Sequence, residues 1–255
     1  MSVLHALAIF SAGIAAGTIN TVVGSGTLIT FPVLLSLGYG PVVANVSNTV
    51  GLVPGSASGA FGYRRELASQ RERLIPLAVA SVLGGITGGV LLLSLPPSAF
   101  KAIVPVFIAV ALVLIMIQPR LSRAMGDRAA RAGRTRDGHR PGPVALGGVF
   151  ASGVYGGYFG AAQGILLLAI LNLSLDDDLQ RLNALKVVLA GLVNLVAGVL
   201  FVFVAHIAWL PATLIAAGSL VGGVLGARYG RRLPSPALRG VILIIGLVAI
   251  VRLVG

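Results

Sequence analysis

"GSGTLITFPVLLSLGYGPVVANVSN", residues 24–48, is too apolar for a loop and too interrupted for an ordinary spanning helix. Gly24-Ser25-Gly26 opens it, Pro32 interrupts it, and Gly38-Tyr39-Gly40-Pro41 breaks it again. Asn45 and Asn48 then stand inside a second apolar run. In lipid an exposed backbone amide or carbonyl has no partner, so such breaks must line a cavity or be buried in protein.

The rest of the chain sets that stretch in a membrane. Of 255 residues 56% are hydrophobic and 10% charged, with a mean hydropathy of +0.98, the composition of a polytopic membrane protein. The net charge of +12 does not point to nucleic acid, because the basic residues stand in short runs between apolar segments. With no cysteine, disulfides, thiolate metal sites and thiol redox chemistry are excluded. The apolar start, "MSVLHALAIFSAGIAAG", lacks a basic leader and reads as a first span rather than a cleaved signal.

Reading for runs of about 20 apolar residues and their breaks gives ten segments: 3–23, 27–37, 41–63, 74–95, 99–117, 144–160, 164–176, 179–205, 208–231 and 235–254. Segments 27–37 and 164–176 are too short to cross as straight helices and read as half-helices or re-entrant hairpins. Shifting the chain by 138 residues places Gly26 on Gly164, Asn45 on Asn183, Ser81 on Ser219, Gly84-Gly85 on Gly222-Gly223 and Leu95-Pro96 on Leu233-Pro234. The expectation is one transporter domain, 1–255, made of a repeat 1–118, a basic cytoplasmic loop 119–143 and a repeat 144–255.

Charge orients the repeats. If the second is inverted, 16 of 19 Lys and Arg fall on the cytoplasmic side, Lys101 and Arg252 lie outside, and Lys186 lies within a span. The expected fold is an all-α polytopic membrane protein with two inverted-topology repeats of about five segments each, their short or interrupted helices at matching positions. An eight-span arrangement with fused hairpins stays open. Inverted repeats with broken helices are the pattern of secondary transporters, whose sites lie near the midplane between the repeats.

"GTINTVVGSGTLITFPVLLSLGYGPVVANVSNTVGLVPGSASG" and its weaker echo "GVYGGYFGAAQGILLLAILNLSLDDDLQRLNALKVVLAG" resemble the sulfite exporter TauE/SafE family over nearly the whole chain. The glycine-rich element with Pro32 and the Ala44-Asn45 pair carry most of the likeness. The second copy departs from it, with Ala161-Ala162-Gln163-Gly164 and no following proline. The resemblance implies a multi-pass cell-membrane transporter that exports small sulfur-containing anions of the sulfite and organosulfonate class, with no cofactor.

Candidate substrate-binding residues are the polar groups at the breaks and inside the spans. Lys186 is one of two lysines, and a charge at this depth must face a cavity or a partner; snorkelling to the surface or pairing with Asp176–Asp178 are the alternatives. Asn45 and Asn183 are repeat mates able to donate to an oxyanion, and Asn48 is the neutral mate of Lys186. Ser25, Thr27 and Gln163 stand where the short segments begin and amides are free. Asn20, Thr21 and Tyr158 precede the breaks. Tyr155, Ser56 and Asn194 are further polar positions along the same path.

The paired glycines at 84–89 and 222–227 read as helix-packing contacts. The three histidines, His5, His139 and His206, lie near ends or in the loop and suggest no metal or catalytic site. All seven acidic residues are expected in loops, leaving no membrane carboxylate for a cation relay. An anion driven outward by an inside-negative potential needs none. The alternative is import of a small anion coupled to a cation. The expected partners are a small anionic substrate and the lipid bilayer, with no nucleic acid; the oligomeric state is left open.

Overall fold

The computed structural model describes residues 1–131, 141–175, 177–229, 240 and 244, with side chains placed to 120 in the first of these stretches. Every regular element among them is a helix. They are α1 (Val3–Val22), α2 (Thr27–Ser36), α3 (Pro41–Gly62), α4 (Arg64–Leu67), α5 (Arg71–Ser94), α6 (Pro97–Arg131), α7 (Pro143–Tyr158), α8 (Gln163–Ser174), α9 (Leu179–Val204) and α10 (Trp209–Tyr229). Five of them (α1, α5, α6 to Arg120, α9 and α10) are long and apolar enough to cross a membrane. α3 has the length but carries buried Asn45, Ser47, Asn48, Thr49 and Ser56.

Local chemistry sets the helix ends. Pro41 and Pro143 begin α3 and α7, where a missing N–H costs nothing. Asp178 caps α9 by accepting from the Gln180 amide at 2.9 Å. Gly24 (φ +88°) and Gly160 (φ +79°) end α1 and α7 in the left-handed region. Their amides donate to the carbonyls of Ile19 and Tyr155, beside those of Val23 and Phe159.

Equivalent landmarks recur through the chain, but not at one interval. From Gly24 to Gly160, and from Thr27 to Gln163, is 136 residues; from Pro41 to Leu179, and from Arg71 to Trp209, is 138. The step falls in the short helices, since α8 has 12 residues and α2 has 10. The uniform register of 138 is therefore two residues off at the breaks. There Asn20 corresponds to Gly156 rather than to Tyr158, and Thr27 to Gln163.

The packing exchanges halves. α1 lies against α10, and α7 against α5; α3 packs on α10, and α9 on α5. Ser81 on α5 donates to Leu189 O on α9 at 2.9 Å, and Ser219 on α10 donates to Gly51 O on α3 at 2.8 Å. The paired glycines work as expected: a Cβ on Gly88 would lie 2.0 Å from Val154 O, and one on Gly222 2.1 Å from Ile14 O. α3 and α9 run antiparallel. Gln70, just beyond α3, donates to Arg181 O in the first turn of α9 at 3.1 Å, and the Ala208 amide beyond α9 donates to Ser47 Oγ near the start of α3 at 2.9 Å.

Three expectations change. Helix α6 continues through Arg131, so the first part of the 119–143 loop is helical; residues 132–140 lie outside the described residues. Glu66, Glu72 and Asp127 are in helices α4, α5 and α6 rather than in loops. The tenth segment, 235–254, lies outside the described residues except for 240 and 244.

Candidate functional site

The two chain breaks meet in the interior. The Gly164 amide, at the second position of α8, donates to Gly24 O at 3.0 Å. A Cβ on Gly24 would lie 2.3 Å from the Gly164 Cα, and one on Gly164 2.4 Å from the Gly24 Cα. Only glycine at both positions allows this approach, so "GSG" and the second-copy glycine meet as a pair. Phe31 of α2 closes the contact edge-on against Phe159, their centroids 5.1 Å apart. Phe100 and Phe107 of α6 cover the α7 break through Tyr155, Tyr158 and Phe159.

Each first helix ends on an asparagine from the other half. Asn183 Nδ2 donates to Thr21 O at the end of α1 (3.4 Å), and Asn45 Nδ2 donates to Tyr158 O at the end of α7 (2.9 Å). These carbonyls are the orphaned, partly negative end of a helix. One turn further along α9, Lys186 reaches the same α1 end. Its Nζ donates to Thr21 O at 3.0 Å and Asn20 O at 3.3 Å, and the residue is 0% exposed. Lys186 therefore neither snorkels nor pairs with the aspartates. Asp177 is taken by Arg73 at 2.6 Å and Arg181 at 3.1 Å, and Asp176 lies outside the described residues.

Asn48, the mate of Lys186, turns into its own half. Its Oδ1 accepts from Thr30 Oγ1, and its Nδ2 donates to Thr27 Oγ1 at 3.3 Å. The other candidates are divided. Asn20 donates to Ser56 Oγ at 3.5 Å, which ties α1 to α3. Gln163 donates to Ser152 O at 3.2 Å inside its own half, with Gly156 leaving room for its side chain. Ser25 is fully buried between the two glycines of the break, and its Oγ has no hydrogen-bond partner among the described residues. Buried and without a partner in the same way are Asn45 Oδ1, Asn183 Oδ1 and the Tyr158 hydroxyl.

The breaks also leave backbone donors. Among the described residues, the amides of Ser25, Gly26 and Thr27 before α2, and of Ala161 and Ala162 before α8, make no hydrogen bond within the chain. Free amides at a helix start favour negative charge. Ala162 itself holds φ +59°, the only non-glycine among the described residues to do so.

Three features of the interior escaped the sequence reading. Thr30 lies one turn from Thr27 on α2, so their spacing held a usable signal. The contact of Gly24 with Gly164 left none, since residues 140 apart in sequence touch only after folding. Arg73, buried at 6% exposed beside Asp177 at 7%, was hidden in a run of arginines that reads as solvated.

Comparison with known proteins agrees with this architecture. The family model described as Sulfite exporter TauE/SafE matches residues 9–253. A probable membrane transporter protein, ORF9, of Sinorhizobium sp is 28% identical over 251 residues, covering 98% of this chain and 92% of its own. A probable membrane transporter protein of Haemophilus influenzae is 28% identical over 221 residues, 86% of this chain and 83% of its own. The probable membrane transporter protein YfcA of Escherichia coli is 27% identical over 227 residues, 88% and 79%. No solved structure matches.

Proposed function

Because the chain belongs to the sulfite exporter TauE/SafE family and is a multi-pass membrane transporter rather than an enzyme, we propose that it exports small sulfur-containing anions of the sulfite and organosulfonate class, driven by the membrane potential. The observation that carries this reading is Lys186. It is a fully buried ammonium beside the meeting point of two chain breaks, hydrogen-bonded to neutral carbonyls and not to a carboxylate. A cation so placed leaves local positive charge that an anion can neutralise.

The free amides of both breaks, Ser25 and Thr27 beside α2, Gln163 at the start of α8, and Asn20, Thr21, Asn45, Asn48, Tyr158 and Asn183 around the helix ends form the proposed path. Its two sides come from repeats of inverted topology, a reading supported by the antiparallel α3 and α9 and by the exchange of partners between halves. With the interior negative, outward movement of one negative charge is favoured by about 2.3 kcal/mol per 100 mV, roughly a 50-fold bias. Cation-coupled import would need an ion on helix-end carbonyls; at α1, the Asn20 and Thr21 carbonyls already hold Lys186.

The test is efflux of a permanently charged alkyl sulfonate, and of sulfite, from proteoliposomes holding the full chain under an imposed inside-negative potential. Efflux should rise with the potential and vanish when it is collapsed. Sulfonate efflux that ignores the potential would sink the driving force proposed here, and uptake strictly dependent on an added cation would favour the import reading.

A further inference from the structure

The orientation of the two capping amides is decided by what they cap. Asn183 Nδ2 faces Thr21 O, and Asn45 Nδ2 faces Tyr158 O. Flipping either side chain would set oxygen against oxygen, so in both residues Oδ1 points away from the helix end. Asn45 is 0% exposed and Asn183 7% exposed, and neither Oδ1 has a partner. An amide oxygen can only accept. Asn183 lies one turn before Lys186 on the same face of α9, and both side chains bond Thr21 O. An anion drawn to the Lys186 ammonium therefore arrives beside buried oxygens that still lack a donor.

We propose that this centre selects anions that carry a hydrogen-bond donor of their own, an O–H or N–H close to the charged head, which Asn183 Oδ1 and Asn45 Oδ1 accept. The inference rests on the anion path proposed above and narrows its substrate class. A hydroxylated sulfonate or a protonated oxyanion satisfies both the ammonium and the amide oxygens. A bare dianion, or a plain alkyl sulfonate, offers only acceptors or apolar hydrogens to oxygens already removed from water. A site that hydrogen-bonds a substrate hydroxyl discriminates strongly against the analogue lacking it, because its own buried group is then left unpaired.

Two sulfonates of equal charge and nearly equal size make the test: ethanesulfonate and 2-hydroxyethanesulfonate, followed together in one batch of proteoliposomes under an inside-negative potential. The ratio of their initial rates at low concentration is independent of how much protein is correctly folded. Wild type should favour the hydroxylated anion by about ten-fold or more. Asn183→Ser keeps a hydroxyl donor for Thr21 O but removes the amide oxygen, as Asn45→Ser does for Tyr158 O; each should bring the ratio towards one. Equal rates in wild type would overturn the donor requirement while leaving anion transport standing. A wild-type preference that survives unchanged in both variants would overturn its assignment to these oxygens. If neither sulfonate moves in protein shown to be folded and inserted, the anion path itself fails and this inference with it.

Discussion

The halves of this protein meet along two equivalent interfaces, α5 on α9 and α10 on α3, and the difference between them separates what the repeat copies from what it does not. Their middles match. Ser81 bonds Leu189 O and Ser219 bonds Gly51 O, with both donors and both acceptors 138 residues apart. Their ends do not match. At one end Arg73, Asp177 and Arg181 form a buried ionic cluster, with Gln70 bonded to Arg181 O. At the corresponding positions of the other, Pro211, Tyr39, Val43 and Ala208 carry no charge, and the Ala208 amide rests on the Ser47 hydroxyl. Small residues are copied because helix backbones must approach closely at both interfaces. Charge is not copied, since positive residues are favoured on one side of a membrane only.

The ionic end offers the largest way to break this comparison. Replacing Asp177 by Ala leaves buried guanidiniums facing each other, and loss of one partner from a buried pair costs about 3–5 kcal/mol. Tyr39→Phe at the matching position should change stability by less than about 0.5 kcal/mol. Denaturation in detergent micelles measures both, and equal effects would show that the ionic cluster contributes nothing special.

Next in size is the contact between the breaks. Gly164→Ala places a methyl group against Gly24, and overpacking of this kind costs about 1–3 kcal/mol. Gly40→Ala, where nothing stands within 4 Å of a new Cβ, should be near neutral. Melting temperatures of the two variants, measured side by side, decide whether the breaks are in firm contact.

Lys186 sharpens the comparison between the two first-helix ends. Lys186→Met substitutes an apolar chain of similar length, a change often neutral or stabilising for a buried charge. It should leave the melting temperature nearly unchanged and lower anion efflux at least about ten-fold, or about 1.4 kcal/mol. Efflux equal to wild type would remove Lys186 from the path.

The smallest effect probes the matched middles. Ser81→Ala and Ser219→Ala should each cost about 1 kcal/mol, and should do so equally. A difference well beyond measurement error would mean that the interfaces differ at their centres as well as at their ends.

Most helix positions were legible in the residue order because they depend on local physics. Apolar length, Pro at helix starts and Gly at helix ends are written residue by residue, and nine of the ten expected segments fall on α1–α3 and α5–α10. The shared register was only partly legible. Two extra residues in α8 shift the breaks relative to the rest, and an ungapped alignment cannot show this. Among the candidate residues, residue type and repeat position drew attention to Asn45, Asn183 and Lys186, but not to their bonds across to the ends of α7 and α1.

The amino-acid order alone determined that this is an all-helical membrane protein with interrupted helices, since burial in lipid and the limits on backbone conformation act over a few residues at a time. Only the tertiary structure decided that Gly24 touches Gly164, that Asp177 belongs to Arg73 and Arg181, and that Lys186 is held by the end of α1. Those pairings join residues 100 or more apart, apart from Arg181 with its near neighbour Asp177. They follow from how two halves pack against each other, and no local pattern in the chain encodes that distance.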